Sequence, residues 1–582
     1  MSTHINKMRW VLNTPPITIN RQEVELKPIK RLILVTLIGI LLPISLLAEN
    51  PAAGDATLQS PPSDNREVAQ EAIAVASDAT IATTPLGQVR GQRRGDVVMW
   101  RGIPYAKPPV GRLRFKAPVP VEPWTGILDA AAFGNAAPQP SQSSKFTGEG
   151  AAQSEDCLTL NIWARAGAKN RPVMVWYHGG AYMSGESSLS MYDGNELAQS
   201  GDVVAVTVNY RLGALGCLHF ADLAKAAGIA EGFTDNPGLR DQVAALAWIH
   251  GNIAAFGGNP SNVTIFGESA GGSSVITLLC TPSAKGLFHR VIAQSPAPSC
   301  IYGRETGTFY AKKFLALVGL KPQEIGRLQD LPVDQLVSAT QRLMDWNALN
   351  RPGSVPFGPT TETETMPLDP LSAAISGSTA NVPLIIGTNR DEATLFEDKD
   401  PPIVPVTPEL FNRMLDITNE EKKGSILSAY PDYPSHCSVI EAATDAIFRQ
   451  PSIQFADAYS RHAPTFLYRF DYVAPLPCLL RMGATHGSEI VYVFHTYSSR
   501  TGRLLTLFAS SGKKRIIGEA MQSSWISFAL SGDPNPAGSE GEFWPAYEAK
   551  HRATRIFGPR MMTLSDPDQK RREAWQGVTL YR

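Results

Sequence analysis

Short apolar runs rich in β-branched residues recur along the middle of the chain, and segments with helical or loop patterning separate them. The runs occupy residues 173–177, 203–208, 263–266, 291–293 and 383–386. Near-continuous apolar runs of this length are typical of strands that are covered on both faces. The pattern therefore predicts a buried sheet.

The segment between the second and third runs has the pattern of a helix. Asn236 and Pro237 open it, apolar residues recur at spacings of three and four over 239–253, and Gly257-Gly258 closes it. Asn as the N-cap with Pro at the first helical position is a helix start signal. Strands that alternate with helices favour the α/β class, with a predominantly parallel central sheet flanked by helices.

The N-terminal region has the pattern of a targeting segment. Lys27, Lys30 and Arg31 precede the apolar run 32–48. A charged region followed by an apolar region predicts an export signal, and the protein is then periplasmic or secreted. The alternative is that residues 32–48 stay uncleaved and act as a membrane anchor, because the run barely reaches across a bilayer of about 30 Å.

After the N-terminal segment, the sequence predicts a linker and then one long folded region. Residues 49–80 are rich in Ala, Ser, Pro and Asp without apolar periodicity, which predicts a disordered linker. Residues 81–575 are predicted to form one large domain. With 53 Lys and Arg against 54 Asp and Glu, the net charge of -1 provides no field for nucleic acid or an anionic membrane. We expect a small-molecule substrate, no nucleic-acid partner, and membrane contact only through the N-terminal segment.

One motif suggests a nucleophile. The run 263–266 leads directly into Gly267-Glu268-Ser269-Ala270-Gly271 and then into a helix of small residues. In a strand–G-x-S-x-G–helix arrangement the turn is so tight that the glycines are needed and the serine is strained and exposed. The motif alone is only suggestive, because a structural glycine-rich turn would look similar, but the flanking strand and helix favour a nucleophilic Ser269.

A second motif suggests an oxyanion site. His178-Gly179-Gly180-Ala181 follows the run 173–177. A loop of small residues in this place supplies backbone N–H donors to a tetrahedral intermediate. A structural turn would explain the glycines equally well, but not the presence of both motifs in the right order.

Together these segments resemble type-B carboxylesterases of the cholinesterase-like group. The resemblance covers nearly everything after the linker. It rests on seven blocks in family order, namely 101–106, 154–161, 178–181, 209–213, 235–242, 267–272 and 532–535. It implies an α/β-hydrolase fold, hydrolysis of carboxylic esters through a Ser-Glu-His triad, and no requirement for a metal or an organic cofactor.

The resemblance also implies roles for individual residues. It makes Gly180, Ala181 and Ala270 the oxyanion donors, and it makes Glu392 the acid of the triad. Asp391 is the rival acid, because the residues alone do not tell which of two adjacent carboxylates faces inward. Ser295 is implied as a hydroxyl near the triad, although a plain hydrogen-bonding serine is nearly as good an interpretation.

The base is expected to be His486. Five histidines follow Glu392, and His486 has the small neighbours that a loop histidine needs if it is to move between nucleophile and leaving group. His495, by contrast, follows an apolar run and is interpreted as a packed helix residue. In the resulting hypothesis, His486 takes the proton of Ser269, which forms an acyl-enzyme that water then hydrolyses.

Three departures from the family pattern limit what the resemblance implies. The residues that precede Cys157 offer no cysteine at the place where relatives pair it, so we expect that disulfide to be missing. Phe146 is the only aromatic residue in 138–156, which removes a cation–π platform and argues against choline esters. Residues 359–363 differ from the Val-Asp-Gly that relatives commonly have, so the pocket wall is altered.

Two other functions remain open at this stage. A cholinesterase-like protein can be a catalytically silent adhesion or binding module, although Ser269, Glu392 and His486 are all present here. Within enzymes, a lipase or an esterase specialised on a polyester or a secondary-metabolite ester would share the triad and differ in its pocket.

Overall fold

The structure is a computed structural model that describes residues 80–140, 150–538 and 542–581. The predicted signal or anchor at 1–48, the predicted linker except for its last residue, and Phe146 lie outside the described residues. In the described part, no helix has the length and apolar character that would let it cross a membrane.

Strands of the described residues form two sheets. The large sheet has eleven strands in the order β14-β13-β12-β11-β10-β9-β7-β8-β6-β4-β3, and the small one has the order β1-β2-β5. Their bounds are β1 Ile81–Thr84, β2 Gly87–Arg90, β3 Gln92–Arg94, β4 Val97–Pro104, β5 Ile127–Asp129, β6 Thr159–Arg165, β7 Arg171–Tyr177, β8 Val204–Val208, β9 Gly258–Glu268, β10 Arg290–Gln294, β11 Leu384–Asn389, β12 Thr465–Phe470, β13 Ala553–Phe557 and β14 Met562–Ser565.

Helices follow and flank these strands. They are α1 Asn195–Gly201, α2 Gly213–Gly216, α3 Ala221–Ala226, α4 Pro237–Asn252, α5 Ala270–Leu279, α6 Arg304–Leu317, α7 Val333–Asn350, α8 Pro370–Ser376, α9 Pro408–Thr418, α10 Lys423–Ser428, α11 His436–Thr444, α12 Gln450–Tyr459, α13 Pro475–Leu479, α14 Ile490–Val493, α15 Arg500–Leu505, α16 Ser511–Ser531 and α17 Gln569–Ala574. A π-helical turn, Asp445–Arg449, joins α11 to α12.

The centre of the large sheet is parallel, as the alternating strand and helix pattern predicts. Strands β8, β7, β9, β10, β11, β12 and β13 pair in parallel, while the outer strands at both edges pair antiparallel. All five predicted runs form strands of this parallel centre. The prediction of an α/β fold with helices around a mainly parallel sheet is therefore confirmed.

Both faces of the sheet are covered by apolar packing, which explains the continuous apolar runs. Along β7, Val173, Val175 and Tyr177 belong to one buried cluster, and Met174 and Trp176 belong to a second cluster. Because successive side chains of a strand point to opposite faces, the two clusters lie on the two sides of the sheet.

The predicted crossover helix is α4, but its start differs from the prediction. Asn236 lies in the left-handed region at φ 49°, and its side chain does not cap the helix. It instead bonds the backbone of Thr360, with the side-chain Nδ2 donating to the carbonyl at 2.8 Å and the side-chain Oδ1 accepting from the amide at 2.7 Å. A long-range pairing of two buried backbone groups therefore replaces the local cap.

The parallel strands bring their carboxyl ends to the same edge of the sheet. The segments that leave β7, β9 and β11 contain the predicted oxyanion loop, the predicted nucleophile and the predicted acid. Crevices outside the carboxyl ends of parallel strands are the usual ligand sites of open α/β sheets. The topology thus gathers the predicted residues at one edge.

Candidate active site

Ser269 occupies the sharp turn between β9 and α5. Its backbone has φ 60° and ψ −119°, a region that a residue with a side chain rarely adopts. The turn is fixed on both sides, since the Ser269 amide donates to the Gln294 carbonyl at 2.9 Å and its own carbonyl accepts from the Ser273 amide at 2.8 Å. Such strain persists only where the surroundings enforce it.

The two glycines of the motif are required by close backbone approach. A Cβ on Gly267 would lie 2.6 Å from the Tyr177 carbonyl oxygen and 2.6 Å from the Gly271 carbonyl carbon. A Cβ on Gly271 would collide with the same Tyr177 oxygen. The turn therefore packs against the end of β7 with no room for side chains.

The loop after β7 crosses directly over the serine. A Cβ on Gly179 would lie 3.0 Å from the Ser269 Cβ. Gly180 and Ala181 both have positive φ, at 113° and 54°, and their N–H groups donate to no described residue. Ala270 is the first residue of α5, so its N–H has no partner within the helix. Three amides are thus left unengaged in the segments around Ser269.

His486 contacts Glu392 at the same edge of the sheet. The imidazole Nδ1 lies 2.6 Å from Glu392 Oε2, and the other carboxylate oxygen accepts from the Asn389 amide at 2.6 Å. Glu392 is completely buried, and His486 is 8% exposed. The imidazole is held by one nitrogen, while its buried Nε2 has no hydrogen-bond partner among the described residues.

Asp391, the rival acid, has a different contact. Its carboxylate pairs with the side chain of Arg390 at 2.9 Å and accepts from the Ala484 amide at 2.8 Å. It therefore supports the loop that carries His486 without reaching the imidazole. Of the two adjacent carboxylates, Glu392 is the one that the structure brings to His486.

A second carboxylate faces the imidazole and was not singled out from the sequence. Glu268 Oε1 lies 3.1 Å from His486 Nε2, although the two do not align as a hydrogen bond. Glu268 precedes Ser269 within the motif itself and is 5% exposed. Its position next to the serine was visible in the sequence, but the fold of a loop more than two hundred residues away determines its contact with His486.

A third buried carboxylate, that of Glu489, also influences His486. It accepts from Gln294 Nε2 at 2.9 Å and from Asn389 Nδ2 at 2.6 Å. The Asn389 side-chain amide also donates to the Thr485 carbonyl at 2.8 Å, and this bond connects the loop before His486 to the end of β11. The sequence pattern gave no sign of this network.

The carboxylates determine the proton affinity of the imidazole. Burial alone lowers the pKa of His486, but the negative charges of Glu268 and Glu392 outweigh it and raise the pKa to about 9. Burial raises the pKa of Glu268 to about 8 despite the opposing effect of His486. Burial also raises the pKa of Glu489. The site therefore favours a protonated imidazole.

Apolar rings line the imidazole. Phe448, in the π-helical turn, has its ring centre 4.6 Å from that of His486, and Phe396 lies at 5.4 Å. These rings exclude water from one side of the site, which strengthens the electrostatic interactions within it.

The other residues considered from the sequence lie as follows. Ser295 has φ 45°, is fully buried, and its hydroxyl has no hydrogen-bond partner among the described residues. His495 lies after the end of α14 with φ 55° and stacks on Tyr497 with ring centres 5.6 Å apart, so its interpretation as a helix residue is wrong. Cys157 is buried and unpaired in the structure.

Comparisons with known proteins identify the family of the chain. The carboxylesterase family profile matches residues 78–573. The chain is 38% identical to the para-nitrobenzyl esterase of Bacillus subtilis (strain 168), over 85% of this chain and 98% of that protein. It is 32% identical to the phenmedipham hydrolase of Pseudarthrobacter oxydans, over 82% of this chain and 95% of that protein.

A solved structure gives the same result. That of a thermophilic PNB esterase superposes with a TM-score of 0.77 at 36% identity, covering 85% of this chain and 99% of its own. Sequence and fold thus agree over most of both chains. The protein belongs to the carboxylesterase family and is a carboxylesterase with the α/β-hydrolase fold.

Proposed function

We propose that the protein hydrolyses small neutral carboxylic esters through an acyl-enzyme intermediate on Ser269, with His486 as the base and Glu392 as the acid. The observation that carries the proposal is the contact of Glu392 with His486 Nδ1 at 2.6 Å, which leaves Nε2 without a hydrogen bond among the described residues, at the edge of the sheet where Ser269 lies partly exposed. A carboxylate on Nδ1 fixes the tautomer in which Nε2 accepts a proton.

The reaction then proceeds in two steps. His486 Nε2 takes the hydroxyl proton while Ser269 Oγ attacks the ester carbonyl, and the protonated imidazole returns the proton to the departing alcohol. Water repeats the attack on the acyl-enzyme, and the carboxylic acid leaves. The N–H groups of Gly180, Ala181 and Ala270 would hold the oxyanion, and each such donor is typically worth about 3 kcal/mol in the transition state.

The site also supports the choice of a neutral substrate. The rings of Phe396 and Phe448 provide an apolar wall beside His486. The buried carboxylates of Glu268 and Glu489 are already partnered by His486 and by amides. The Bacillus subtilis relative is named for para-nitrobenzyl esters. We therefore choose para-nitrobenzyl and p-nitrophenyl esters as test substrates.

The test compares three variants with the parent protein. Ser269→Ala is expected to lower kcat by roughly 10⁴-fold or more, because the covalent route is lost. Glu392→Gln is expected to lower kcat strongly, whereas Asp391→Asn is expected to stay within about tenfold of the parent. Ester hydrolysis that survives Ser269→Ala, or an Asp391→Asn loss larger than the Glu392→Gln loss, would contradict the assignment. A parent protein with no esterase activity at all would favour a silent binding module.

We further propose that residues 32–48 direct export, with retention as an anchor as the alternative. The support is that a charged region precedes an apolar region in the N-terminal sequence. Cell fractionation with determination of the mature N-terminus distinguishes the two, because a mature chain that begins after residue 48 means export with cleavage. A full-length chain in the membrane fraction means an anchor, and a full-length chain in the cytoplasm contradicts both.

A further inference from the structure

Positive charge is concentrated in one part of a chain whose total charge is close to zero. Residues 475–516 contain six Lys and Arg and a single acidic residue, Glu489, which is buried. Among the described residues, only Arg515 of the six has an ion pair, with Glu519 at 3.2 Å. The six cations are Arg481, Arg500, Arg503, Lys513, Lys514 and Arg515.

Large apolar side chains are exposed among these cations. Leu479 is 70% exposed, Phe508 is 68% exposed and Ile516 is 56% exposed, and the first two are the most exposed large apolar residues of the described chain. Phe508 also has φ 63°, which is rare for a bulky residue. The protein thus holds a mostly exposed aromatic ring on a strained backbone, with little burial of the ring to offset the strain.

The three segments lie next to one another in the fold. Helix α13, which ends at Leu479, packs against α15. A short connection that contains Phe508 leads from α15 to α16, and Tyr497 before α15 donates to the Lys514 carbonyl of α16 at 3.2 Å. We call residues 479–481, 500–508 and 513–516 together the basic apolar surface.

We propose that the basic apolar surface docks on an anionic lipid membrane. Such a surface offers both negative headgroups for the cations and an apolar interior for the exposed side chains, and peripheral proteins bind it through this combination. A nucleic acid or an acidic protein would engage the cations but leave Leu479 and Phe508 without an apolar environment. A second copy related by a twofold axis would place the cations of one molecule against those of the other.

The position of this surface connects it to the active site. Leu479 lies seven residues before His486, and the intervening chain is the loop that carries the imidazole. Docking would therefore hold the membrane beside a segment that leads directly into the site. The net charge of the whole chain does not report this surface, because it averages the local excess away.

Vesicle binding tests the proposal without using ester hydrolysis. The full chain is titrated with vesicles of phosphatidylcholine alone and with vesicles that also contain phosphatidylglycerol. Each Lys or Arg contributes about a fivefold factor near an anionic surface, so the triple variant Arg500→Gln/Arg503→Gln/Lys513→Gln is expected to bind the anionic vesicles roughly a hundredfold more weakly. Hydrolysis of a soluble ester should not change, which shows that the variant is folded.

A matched pair of variants tests the apolar part. Phe508→Asn removes the ring and suits a left-handed backbone, so it should weaken binding without unfolding the chain. Phe543→Asn is the control, because Phe543 is 65% exposed but lies outside the basic apolar surface. An equal effect of the two substitutions would overturn the proposal.

Two native thiols provide a local measurement that the N-terminal segment does not obscure. Cys478, next to Leu479, and Cys437, on α11, are both exposed. Anionic vesicles should slow the alkylation of Cys478 by a charged maleimide and leave Cys437 unaffected. Unchanged alkylation of Cys478, equal slowing of both thiols, or binding to heparin or DNA without binding to vesicles would each overturn the proposal.

Discussion

Replacing Glu268 by Gln should move the pH dependence of esterase activity toward lower pH. The substitution keeps the shape of the side chain and removes a buried negative charge that lies 3.1 Å from His486 Nε2. His486 must be neutral to act as a base, so activity falls below its pKa. The carboxylate raises that pKa, and its removal lowers it. The acid limb of the kcat/KM profile is therefore expected at lower pH.

The size of the shift follows from the distance. At 3.1 Å, two unit charges interact by about 5 kcal/mol with an effective dielectric constant of ~20, which corresponds to about four pKa units as an upper bound. Glu268 has a pKa raised to about 8, so it carries only part of its charge near neutral pH. A shift of about one to two units is the realistic expectation. The plateau should also fall, because the developing imidazolium loses a neighbouring anion.

The assay is kcat/KM for a soluble ester over a wide pH range, which reports the ionisation of the free enzyme. Glu489→Gln is the matched control, because its carboxylate is bound by Gln294 and Asn389 and influences the pKa of His486 less than Glu268 does. Glu489→Gln should shift the acid limb of the kcat/KM profile by less than Glu268→Gln does. An unchanged limb for Glu268→Gln, or a shift to higher pH, would refute the electrostatic reasoning.

Two predictions concern stability, each with a control in the same chain and urea unfolding as the measurement. Gly271→Ala should cost about 1–3 kcal/mol or prevent folding, because the methyl group meets the last carbonyl of β7, whereas Gly251→Ala in α4 meets nothing and should stabilise by about 0.5–1 kcal/mol. Arg211→Met should cost about 3–5 kcal/mol, because it leaves the buried carboxylate of Asp241 without its partner at 2.6 Å. Arg515→Met, at an exposed ion pair, should change stability by less than about 1 kcal/mol.

Features that depend on neighbouring residues were predictable from the sequence. The apolar runs form the parallel centre of the sheet, and the turn at Ser269 has the strained backbone that its flanking glycines predict. In both cases the information is local, because a strand or a tight turn selects the residues that can occupy it.

Features that depend on distant residues were not predictable from local patterns, and only the family resemblance favoured Glu392 over Asp391. The choice between Asp391 and Glu392 depends on where the loop of His486 passes, since one carboxylate meets the Ala484 amide and the other meets the imidazole. Asn236 satisfies the ordinary rule for an N-cap, yet it pairs with the backbone of Thr360. Tertiary contacts override a local preference when they satisfy more buried groups than the local alternative does.

The surface properties of the chain were also hidden from whole-chain quantities. A net charge of -1 argues against attraction to anionic membranes, yet the basic apolar surface combines exposed Leu479 and Phe508 with five cations that form no ion pair within the described part of the chain. A sum over the chain cannot reveal a local excess of positive charge such as that of residues 475–516.

Covalent labelling of Ser269 tests the central claim most directly. The full chain is treated with a fluorophosphonate, which phosphonylates an activated serine, and the modified residue is identified by peptide mass spectrometry. The account predicts one stoichiometric adduct on Ser269, its absence in Ser269→Ala, and much slower labelling in a His486→Ala variant. An adduct on another serine with loss of esterase activity, or undiminished labelling of Ser269→Ala, would contradict it.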